Sequence, residues 1–236
     1  MIIFHYPTLA STQDTALRHI QNNPSDRFFA IYTPHQTQGK GTQNRSWYMK
    51  TGNLAVTYGL QIPAFDISGL SLMVGVLVKQ VITECLGDMP LYLKWANDIY
   101  LENQKIGGIL IHYDTINTMP WIRIGIGLNL YPVDSQDNHF ASLSSLAKHL
   151  PPLEIWVKEI GKKLVEHIII FQNHGFGFYR DAFLKSALYL GEPIQCTTPQ
   201  GIQTGIFHDI TPQGHLIIKD EDEQLSSFTS ATLRPL

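Results

Sequence analysis

Short apolar runs separated by polar breaks recur along most of the chain. Runs of this length, bounded by Gly, Pro, Asn or Ser, are typical of buried β-strands. They predict strands over residues 2–6, 28–32, 54–60, 91–93, 109–111 and 121–130. Segments whose apolar residues recur on one face predict helices after Ser11, over 66–87, from Pro151 and over 178–188.

The pattern changes after Gly191, where short apolar segments are punctuated by two similar tetrads. Residues 198–201 and 211–214 both read Thr-Pro-Gln-Gly, which places proline and glycine where tight turns favour them. Together with apolar segments over 202–207, 215–218 and 225–228, these turns predict a small β-barrel. We therefore expect a first domain over residues 1–190 and a small C-terminal domain over residues 191–236.

Composition and charge exclude several classes of protein. With 44% apolar and 16% charged residues, the chain has the composition of a globular protein with its own core. The net charge of −3 and the scattered cations argue against a dedicated nucleic-acid surface. Cys85 and Cys196 lack the spacing of a metal site, so reduced thiols are expected.

No targeting or membrane segment is apparent in the sequence. The first residues carry no basic region of the kind that opens a signal peptide. The longest apolar stretch, residues 70–86, contains Lys79 and Glu84, which favours a buried helix over a membrane span. We expect a cytoplasmic protein whose partners include neither nucleic acid nor membrane.

The segment from Lys94 to Leu110 combines strand-like ends with unusual polar residues. Residues 102–104 form a polar turn between two apolar runs, which predicts a hairpin. Lys94 and Lys105 lie on either side of Asn97 and Asp98 in this otherwise apolar segment. Because lysine is rarely buried without a partner, we expect both ammonium groups to face a cleft or an anion. The adjacent Gly107-Gly108 would let a ligand approach the backbone, so the segment indicates a site for an anionic substrate.

Three further segments carry candidate chemistry, each with a structural alternative. Ser11, followed by Thr12 and by Asp14 three residues on, resembles a capping box, so the hydroxyls have either a capping role alone or a ligand as well. The glycines and cations of residues 36–47 suit a loop around a small anion, but also an ordinary surface turn. Asn129, in an apolar strand, needs a hydrogen-bond partner that is either a neighbouring loop or a ligand.

These segments resemble the motifs of biotin protein ligases. Lys-Trp-Ala-Asn-Asp-Ile at 94–99 and Lys-Ile-Gly-Gly-Ile-Leu at 105–110 are similar to K-W-P-N-D-[ILV] and K-[ILV]-[AG]-G-I-L, with Ala96 in place of proline. Residues 39–47 resemble G-R-G-R-x-G-R-x-W, with departures at Lys40, Thr42 and Asn44. Residues 11–13 resemble S-T-N with Gln13 as the third residue, and residues 125–129 resemble G-[AI]-G-[ILV]-N.

The resemblance implies a fold and a reaction. The fold would be α+β, a mixed β-sheet with flanking helices followed by an SH3-like β-barrel. Biotin would react with ATP, accompanied by Mg²⁺, to give biotinyl-5′-adenylate, and a lysine of a biotin carboxyl carrier protein would then accept the biotin. The protein would act as a monomer or homodimer. We expect no N-terminal DNA-binding domain of the kind that makes some relatives repressors.

The resemblance also assigns roles to individual residues. Catalytic roles fall on Lys105, Lys94 and Asp98, where Asp98 either holds a lysine or helps to deprotonate the incoming amine. The residues implied in biotin binding are Ser11, Thr12, Gln13, Gln36, Lys40, Gly41, Thr42, Trp47, Lys105, Gly108, Leu110, Gly125 and Gly127. Those implied in nucleotide binding are Lys40, Arg45, Lys94, Asn97 and Asn129. No residue is assigned as a metal ligand.

Two other functions would share part of this pattern. A lipoate or octanoate ligase or transferase would share the fold and also present a lysine to an acyl carboxyl group. The R-R-x-S-G-G stretch typical of that group is missing from the sequence. A non-catalytic biotin sensor would retain Ser11, Thr12 and Trp47 but would have no need for Lys94, Asn97 and Lys105 together.

Overall fold

The computed structural model describes residues 1–42, 45–133 and 140–236. Its first part contains the strands β1 (Ile2–His5), β2 (Phe28–Thr33), β3 (Gly39–Lys40), β4 (Ser46–Trp47), β5 (Leu54–Gln61), β6 (Leu91–Lys94), β7 (Asp98–Leu101), β8 (Gln104–Ile116) and β9 (Met119–Leu128). The helices are α1 (Thr12–Asn22), α2 (Leu70–Leu86), α3 (Leu153–His174) and α4 (Arg180–Leu184). The last part contains β10 (Pro193–Thr198), β11 (Gly201–Ile210), β12 (Leu216–Lys219), β13 (Leu225–Phe228) and β14 (Thr232–Pro235).

A seven-stranded sheet in the order β1-β2-β5-β9-β8-β7-β6 forms the centre of the fold. β1 pairs in parallel with β2 and the other neighbours pair antiparallel, so the sheet is mixed, as expected. Alternate residues of a strand point to opposite faces of a sheet. Ala30 and Tyr32 belong to the main core with α2 and α3, whereas Phe29 and Ile31 belong to a smaller cluster with α1. Helices therefore cover both faces.

The C-terminal part forms a second sheet, in the order β13-β12-β11-β10-β14. All of its neighbouring strands pair antiparallel, which is consistent with an SH3-like domain. In the described part of the chain these pairings form an open sheet and not the closed barrel that the sequence suggested. Its buried residues, including Phe207 and Ile210, belong to the same apolar cluster as the main core.

Several element boundaries differ from the sequence prediction. α2 begins at Leu70 rather than Asp66, because the Asp66 side chain accepts a hydrogen bond from the Ser68 N–H (2.9 Å) in a turn before the helix. The helix predicted over 178–188 is a 3₁₀ turn (Phe176–Tyr179) followed by the five-residue α4. β9 ends at Leu128, so Asn129 follows the strand instead of lying within it. No helix among the described residues is long and apolar enough to cross a membrane.

Candidate functional site

The main cavity, of about 520 Å³, lies beside the central sheet. Its walls come from the start of α1, the β3–β4 ribbon, the β6–β8 segment, β9 and the turn between β13 and β14. Almost all of the sequence-predicted site residues line it. They are Ser11, Thr12, Gln13, Gln36, Lys40, Gly41, Thr42, Arg45, Trp47, Lys94, Asn97, Asp98, Lys105, Gly108, Leu110, Gly125 and Gly127.

The exception is Asn129, which does not line the cavity. Its side chain is buried, and its backbone N–H donates to the Ile106 carbonyl (2.7 Å) while its own carbonyl accepts from the Leu143 N–H (3.0 Å). The side-chain oxygen Oδ1 has no hydrogen-bond partner within the described chain. The nucleotide-binding role of Asn129 stays a prediction, whereas Asn97 does line the cavity and donates from Nδ2 to the Ile109 carbonyl (3.0 Å).

Lys105 and Asp98 form an ion pair in the cavity wall. The distance from Lys105 Nζ to Asp98 Oδ1 is 2.5 Å, and each side chain is about one-fifth exposed. Antiparallel pairing of β7 with β8 brings Asp98 opposite Gly108, close to Lys105 on the neighbouring strand. The missing side chain at Gly108 leaves room there, since a Cβ would lie 3.6 Å from both charged side chains. Asp98 thus holds the ammonium group at the cavity.

Lys94 has a different environment at the end of β6. Its ammonium group donates to the Tyr100 hydroxyl (3.4 Å) and lies over the rings of Tyr100 and Tyr189, with no salt bridge found in the described part of the chain. Burial lowers the pKa of Lys94, and the Asp98 carboxylate opposes this effect. Three neighbouring cations lower the pKa further: Lys105, Arg234 and Arg45. An anion bound in the cavity would stabilise the charged form of Lys94.

The start of α1 combines helix capping with a lining role. Ser11 is the N-cap, and its Oγ accepts from the Asp14 N–H (3.3 Å), which leaves its own hydroxyl proton available. The N–H and hydroxyl of Thr12 both donate to Gln36 Oε1, at 2.7 and 3.1 Å. Thr57 in turn donates to the Thr12 hydroxyl (2.9 Å). The capping prediction is confirmed, and these contacts orient the Gln36 amide with its nitrogen away from Thr12.

The β3–β4 ribbon, which is described over residues 39–42 and 45–47, covers one side of the cavity. Lys40 forms an ion pair with Asp14 of α1 (2.7 Å), and Arg45 contacts the Thr232 hydroxyl (3.4 Å) of the C-terminal sheet. The Trp47 ring packs over Gly127, where an added Cβ would lie 2.5 Å from the ring. The Lys105 ammonium group lies 5.5 Å from the centre of the same ring. Asn44, one of the departures from the motif, lies outside the described residues.

Glycines of this site have two different structural roles. A Cβ at Gly125 would lie 2.4 Å from Gln13 Nε2, and one at Gly127 would meet Trp47, so both glycines make room beside cavity-lining side chains. Gly107 is different, because its Cβ would meet Leu128 (2.7 Å) and the Gly127 carbonyl (2.9 Å). The expectation that both Gly107 and Gly108 admit a ligand is therefore wrong for Gly107, which packs against protein.

Sequence reasoning missed two polar residues behind the cavity, Arg123 and Asp114. Arg123 lies in β9 with 5% of its surface exposed and donates to both carboxylate oxygens of Asp114 and to Gln13. The available signal was a lone arginine inside the apolar strand predicted over 121–130. A buried arginine requires nearby acceptors, but its partners lie in other segments of the sequence.

Both parts of the chain are similar to known protein families. Residues 6–129 match the model of the biotin/lipoate A/B protein ligase family, and residues 189–232 match that of the biotin protein ligase C terminal domain. The chain is 28% identical to a biotin–[acetyl-CoA-carboxylase] ligase of Paracoccus denitrificans, over 80% of this chain and 83% of that protein. It is 26% identical to a bifunctional ligase/repressor BirA of Bacillus subtilis, over 98% of this chain and 73% of that protein.

Solved structures show the same fold. A biotin protein ligase from Aquifex aeolicus, in complex with biotin and ATP, superimposes with a TM-score of 0.85, covering 100% of this chain and 99% of that one at 22% identity. A biotin protein ligase from Leishmania major, in complex with biotinyl-5-AMP, gives a TM-score of 0.65 over 97% of this chain. The likeness extends over both sheets.

Proposed function

Because this chain belongs to the biotin/lipoate A/B protein ligase family, we propose that it is a ligase that activates biotin with ATP and attaches it to a carrier-protein lysine. The observation that carries the proposal is the convergence of sequence motifs from α1, the β3–β4 ribbon, β6–β8 and β9 on one cavity. This cavity is lined both by cations and by side-chain amides and hydroxyls, which suits a carboxylate with a polar head group.

In the first step, a biotin carboxylate oxygen attacks the α-phosphorus of ATP. The bond from that phosphorus to the bridging oxygen breaks, and pyrophosphate leaves. Two anions must approach each other, so cations placed where charge develops lower the barrier. We assign Lys105, held by Asp98, to the carboxylate and α-phosphate oxygens, and Lys94 to the phosphates.

In the second step, the amine of the carrier lysine attacks the carbonyl carbon of biotinyl-5′-adenylate. AMP leaves with the bond electrons, and the proton that the amine nitrogen gives up passes to solvent water. Asp98 lies in the cavity wall and is the only carboxylate among its described lining residues. Its ion pair with Lys105 supports a positioning role, since the carboxylate holds the ammonium group at the cavity.

The polar part of the cavity favours biotin over lipoate. Biotin carries a cyclic urea with one carbonyl acceptor and two N–H donors, whereas lipoyl and octanoyl tails form no comparable hydrogen bonds. Ser11, Gln13 and Gln36 all present polar atoms to the cavity. An apolar tail would leave these groups unpaired, at a cost of about 1–3 kcal/mol each. The hydroxyls and amides therefore support a biotin ligase.

Mg²⁺ would enter this site with ATP. Among the described residues, no cluster of three His, Cys, Asp or Glu is placed to hold a metal ion. Mg²⁺ characteristically keeps several waters and binds through substrate phosphates with few protein carboxylates, so this donor set fits MgATP as the substrate. We also assign the protein to the cytoplasm, where its two free cysteines would stay reduced.

The test is a reconstituted reaction with purified protein, MgATP, labelled biotin and a biotin carboxyl carrier domain. We expect a carrier mass increase of one biotin, together with biotin-dependent pyrophosphate release. Excess lipoate should not compete. Label transfer from lipoate in preference to biotin would favour the alternative acyl ligase, and biotin binding without pyrophosphate release would favour the sensor.

A further inference from the structure

Arg123 and Asp114 form a charged pair behind the biotin part of the cavity. Arg123 Nε lies 2.6 Å from Asp114 Oδ2, and Nη2 lies 3.1 Å from Oδ1, so the contact is bidentate. Both residues belong to the β8–β9 ladder, two positions apart in its register. Replacing such a pair by apolar residues is often neutral for stability, because burying two charges has a large desolvation cost. Sheet stability alone therefore gives a weak reason for the pair.

The remaining donor of Arg123 points to Gln13. Nη1 donates to the Gln13 backbone carbonyl (2.8 Å) and to the side-chain oxygen Oε1 (3.0 Å). On the other side, Gln13 Nε2 donates to the Leu110 carbonyl (3.0 Å). The orientation of this amide is fixed by chemistry, because arginine only donates and a carbonyl only accepts. A flipped amide would lose both contacts.

We propose that Arg123 is a positioning residue for biotin recognition, acting through Gln13 and held in place by Asp114. This inference rests on the proposed function. With Oε1 held by Arg123 and one Nε2 hydrogen held by Leu110, the second Nε2 hydrogen is left for the ligand. Hydrogen bonding to a cation polarises the amide and makes that hydrogen a better donor. The acceptor it suits is the ureido carbonyl oxygen of biotin.

The site is built for a glutamine at this position. The Gln13 amide crosses the face of Gly125, where a Cβ would lie 2.4 Å from Nε2. Arg123 and Leu110 lie at the two ends of that amide, so its reach matches the gap that they leave. The added length of Gln13, compared with the asparagine of the S-T-N motif, is thus accommodated by Arg123.

The test measures the Kd of biotin without ATP, the KM of ATP and the thermal midpoint. The test variant is Arg123→Met with Asp114→Asn, which removes both charges and leaves no orphaned carboxylate. We expect its biotin Kd to rise about tenfold, which corresponds to the loss of one hydrogen bond to the ligand. The KM of ATP should stay within about twofold. Arg123→Lys, which keeps a donor, should recover part of the affinity.

Arg180→Met is the matched control. Arg180 pairs with Asp209 and donates to the Ile210 carbonyl (2.7 Å), away from the biotin residues. We expect it to lower the thermal midpoint at least as much as the test variant. The biotin Kd should stay at the wild-type value, because the apolar contacts of Phe207 and Ile210 still hold the C-terminal sheet in place. In a Gln13→Ala background, the Arg123→Met/Asp114→Asn change should add no further loss of biotin affinity.

The results of these measurements distinguish the positioning role of Arg123 from the proposed function. Two results would overturn the role of Arg123 while the proposed function stands. One is an unchanged biotin Kd in the test variant. The other is that the Arg123→Met/Asp114→Asn change lowers biotin affinity as much in the Gln13→Ala background as in the wild-type protein. Failure of the wild-type protein to bind biotin overturns both. A tenfold loss that disappears without Gln13 supports the positioning role, since a purely structural defect would persist in that background.

Discussion

The lysines of the cavity differ in whether a carboxylate of the protein already pairs with their ammonium group. Lys105 is paired with Asp98 at 2.5 Å, and Lys40 with Asp14 at 2.7 Å. Lys94 is half-buried among aromatic rings, and burial lowers its pKa. The paired Lys105 has a fixed position before substrate arrives, which favours catalysis by pre-organised charge. The Asp98 carboxylate offsets part of the cost of desolvating Lys94, and a bound anion would offset more of it, which suits phosphate binding.

Replacing Lys105 tests the central assignment. For Lys105→Met we expect kcat for biotin-dependent pyrophosphate release to fall by about 10²–10³, because one donor to the developing charge is lost. Lys163→Met is the matched control, since Lys163 forms a comparable ion pair with Glu84 (2.7 Å) between α2 and α3. Pyrophosphate release near the wild-type rate in Lys105→Met, with the fold intact, would remove Lys105 from the mechanism.

Residue chemistry was predictable from the sequence where the functional group stands out locally. Lys94 and Lys105 stand out as cations in an apolar segment, and the structure places both in the cavity. Arg123 is equally conspicuous as a cation in an apolar strand, but its role could be inferred only from its contact with Gln13, which is 110 positions away in the chain. Only the pairing of β8 with β9 and the packing of α1 bring these groups together. Local pattern carries no information about such partners.

At the scale of elements, the short strands around the β7–β8 hairpin bring charged residues and glycines together. Gly107 and Gly108 are consecutive in β8, so they point to opposite faces of the sheet and meet different neighbours. The hairpin and the helix cap at Ser11 were predictable, because turns and caps have local signatures. β10 and β14 were not, because Pro193 and a short polar segment hide their strand character.

The two adjacent glycines should respond differently to an added methyl group. Gly107→Ala forces a Cβ to within 2.9 Å of the Gly127 carbonyl, so we expect a loss of about 1–3 kcal/mol in the free energy of unfolding. Gly108→Ala meets Trp47 at an ordinary 3.4 Å, so the fold should tolerate it while the space beside Lys105 narrows. Denaturant unfolding and the KM of biotin measure the two effects. Equal stability of both variants would contradict the packing argument.

The β3–β4 ribbon is the element most suited to opening. We predict that the described part of the segment from Gln36 to Trp47, residues 36–42 and 45–47, is mobile in the empty protein and closes over biotin and ATP, because few apolar contacts offset the entropy of ordering it. Its ion pair between Lys40 and Asp14 is half-exposed and therefore weak. Closure would also exclude water from the reactive anhydride.

Limited trypsin digestion measures this opening directly, since Lys40 and Arg45 are cleavage sites in the ribbon. Cutting should be fast without ligand and slowed by biotin plus ATP. Cleavage after the exposed Lys148 is the internal control and should not change. Equal cutting of the ribbon with and without ligands would show that it does not close.

At the scale of the whole molecule, the two sheets share one apolar interior. Phe207 and Ile210 of the C-terminal sheet belong to the same buried cluster as α2 and the central sheet. The ring nitrogen of Trp95, which follows Lys94 in the chain, donates to the Gly214 carbonyl (2.9 Å). Residues 229–233 also line the cavity. We therefore propose that residues 191–236, although separable as a sequence domain, complete the site.

This shared interior predicts a single cooperative unfolding transition. If residues 191–236 folded independently of residues 1–190, each part would lose its own core at its own temperature. Unfolding the C-terminal sheet alone would instead expose Phe207, Ile210 and the face of the main core that they cover, at about 1.5–3 kcal/mol per large side chain. Calorimetry should give a calorimetric enthalpy equal to the van't Hoff enthalpy.

A variant at the contact between α4 and the C-terminal sheet can be studied by the same calorimetric measurement. Arg180 of α4 donates to the Ile210 carbonyl and pairs with Asp209, so Arg180→Met weakens the contact between the two parts. We expect a lower midpoint with the transition still single, because the buried apolar contacts remain. Two resolved transitions in the wild-type protein, only one of them shifted by biotin and ATP, would show that the parts unfold separately. A single transition raised by the ligands would show that the cavity depends on both.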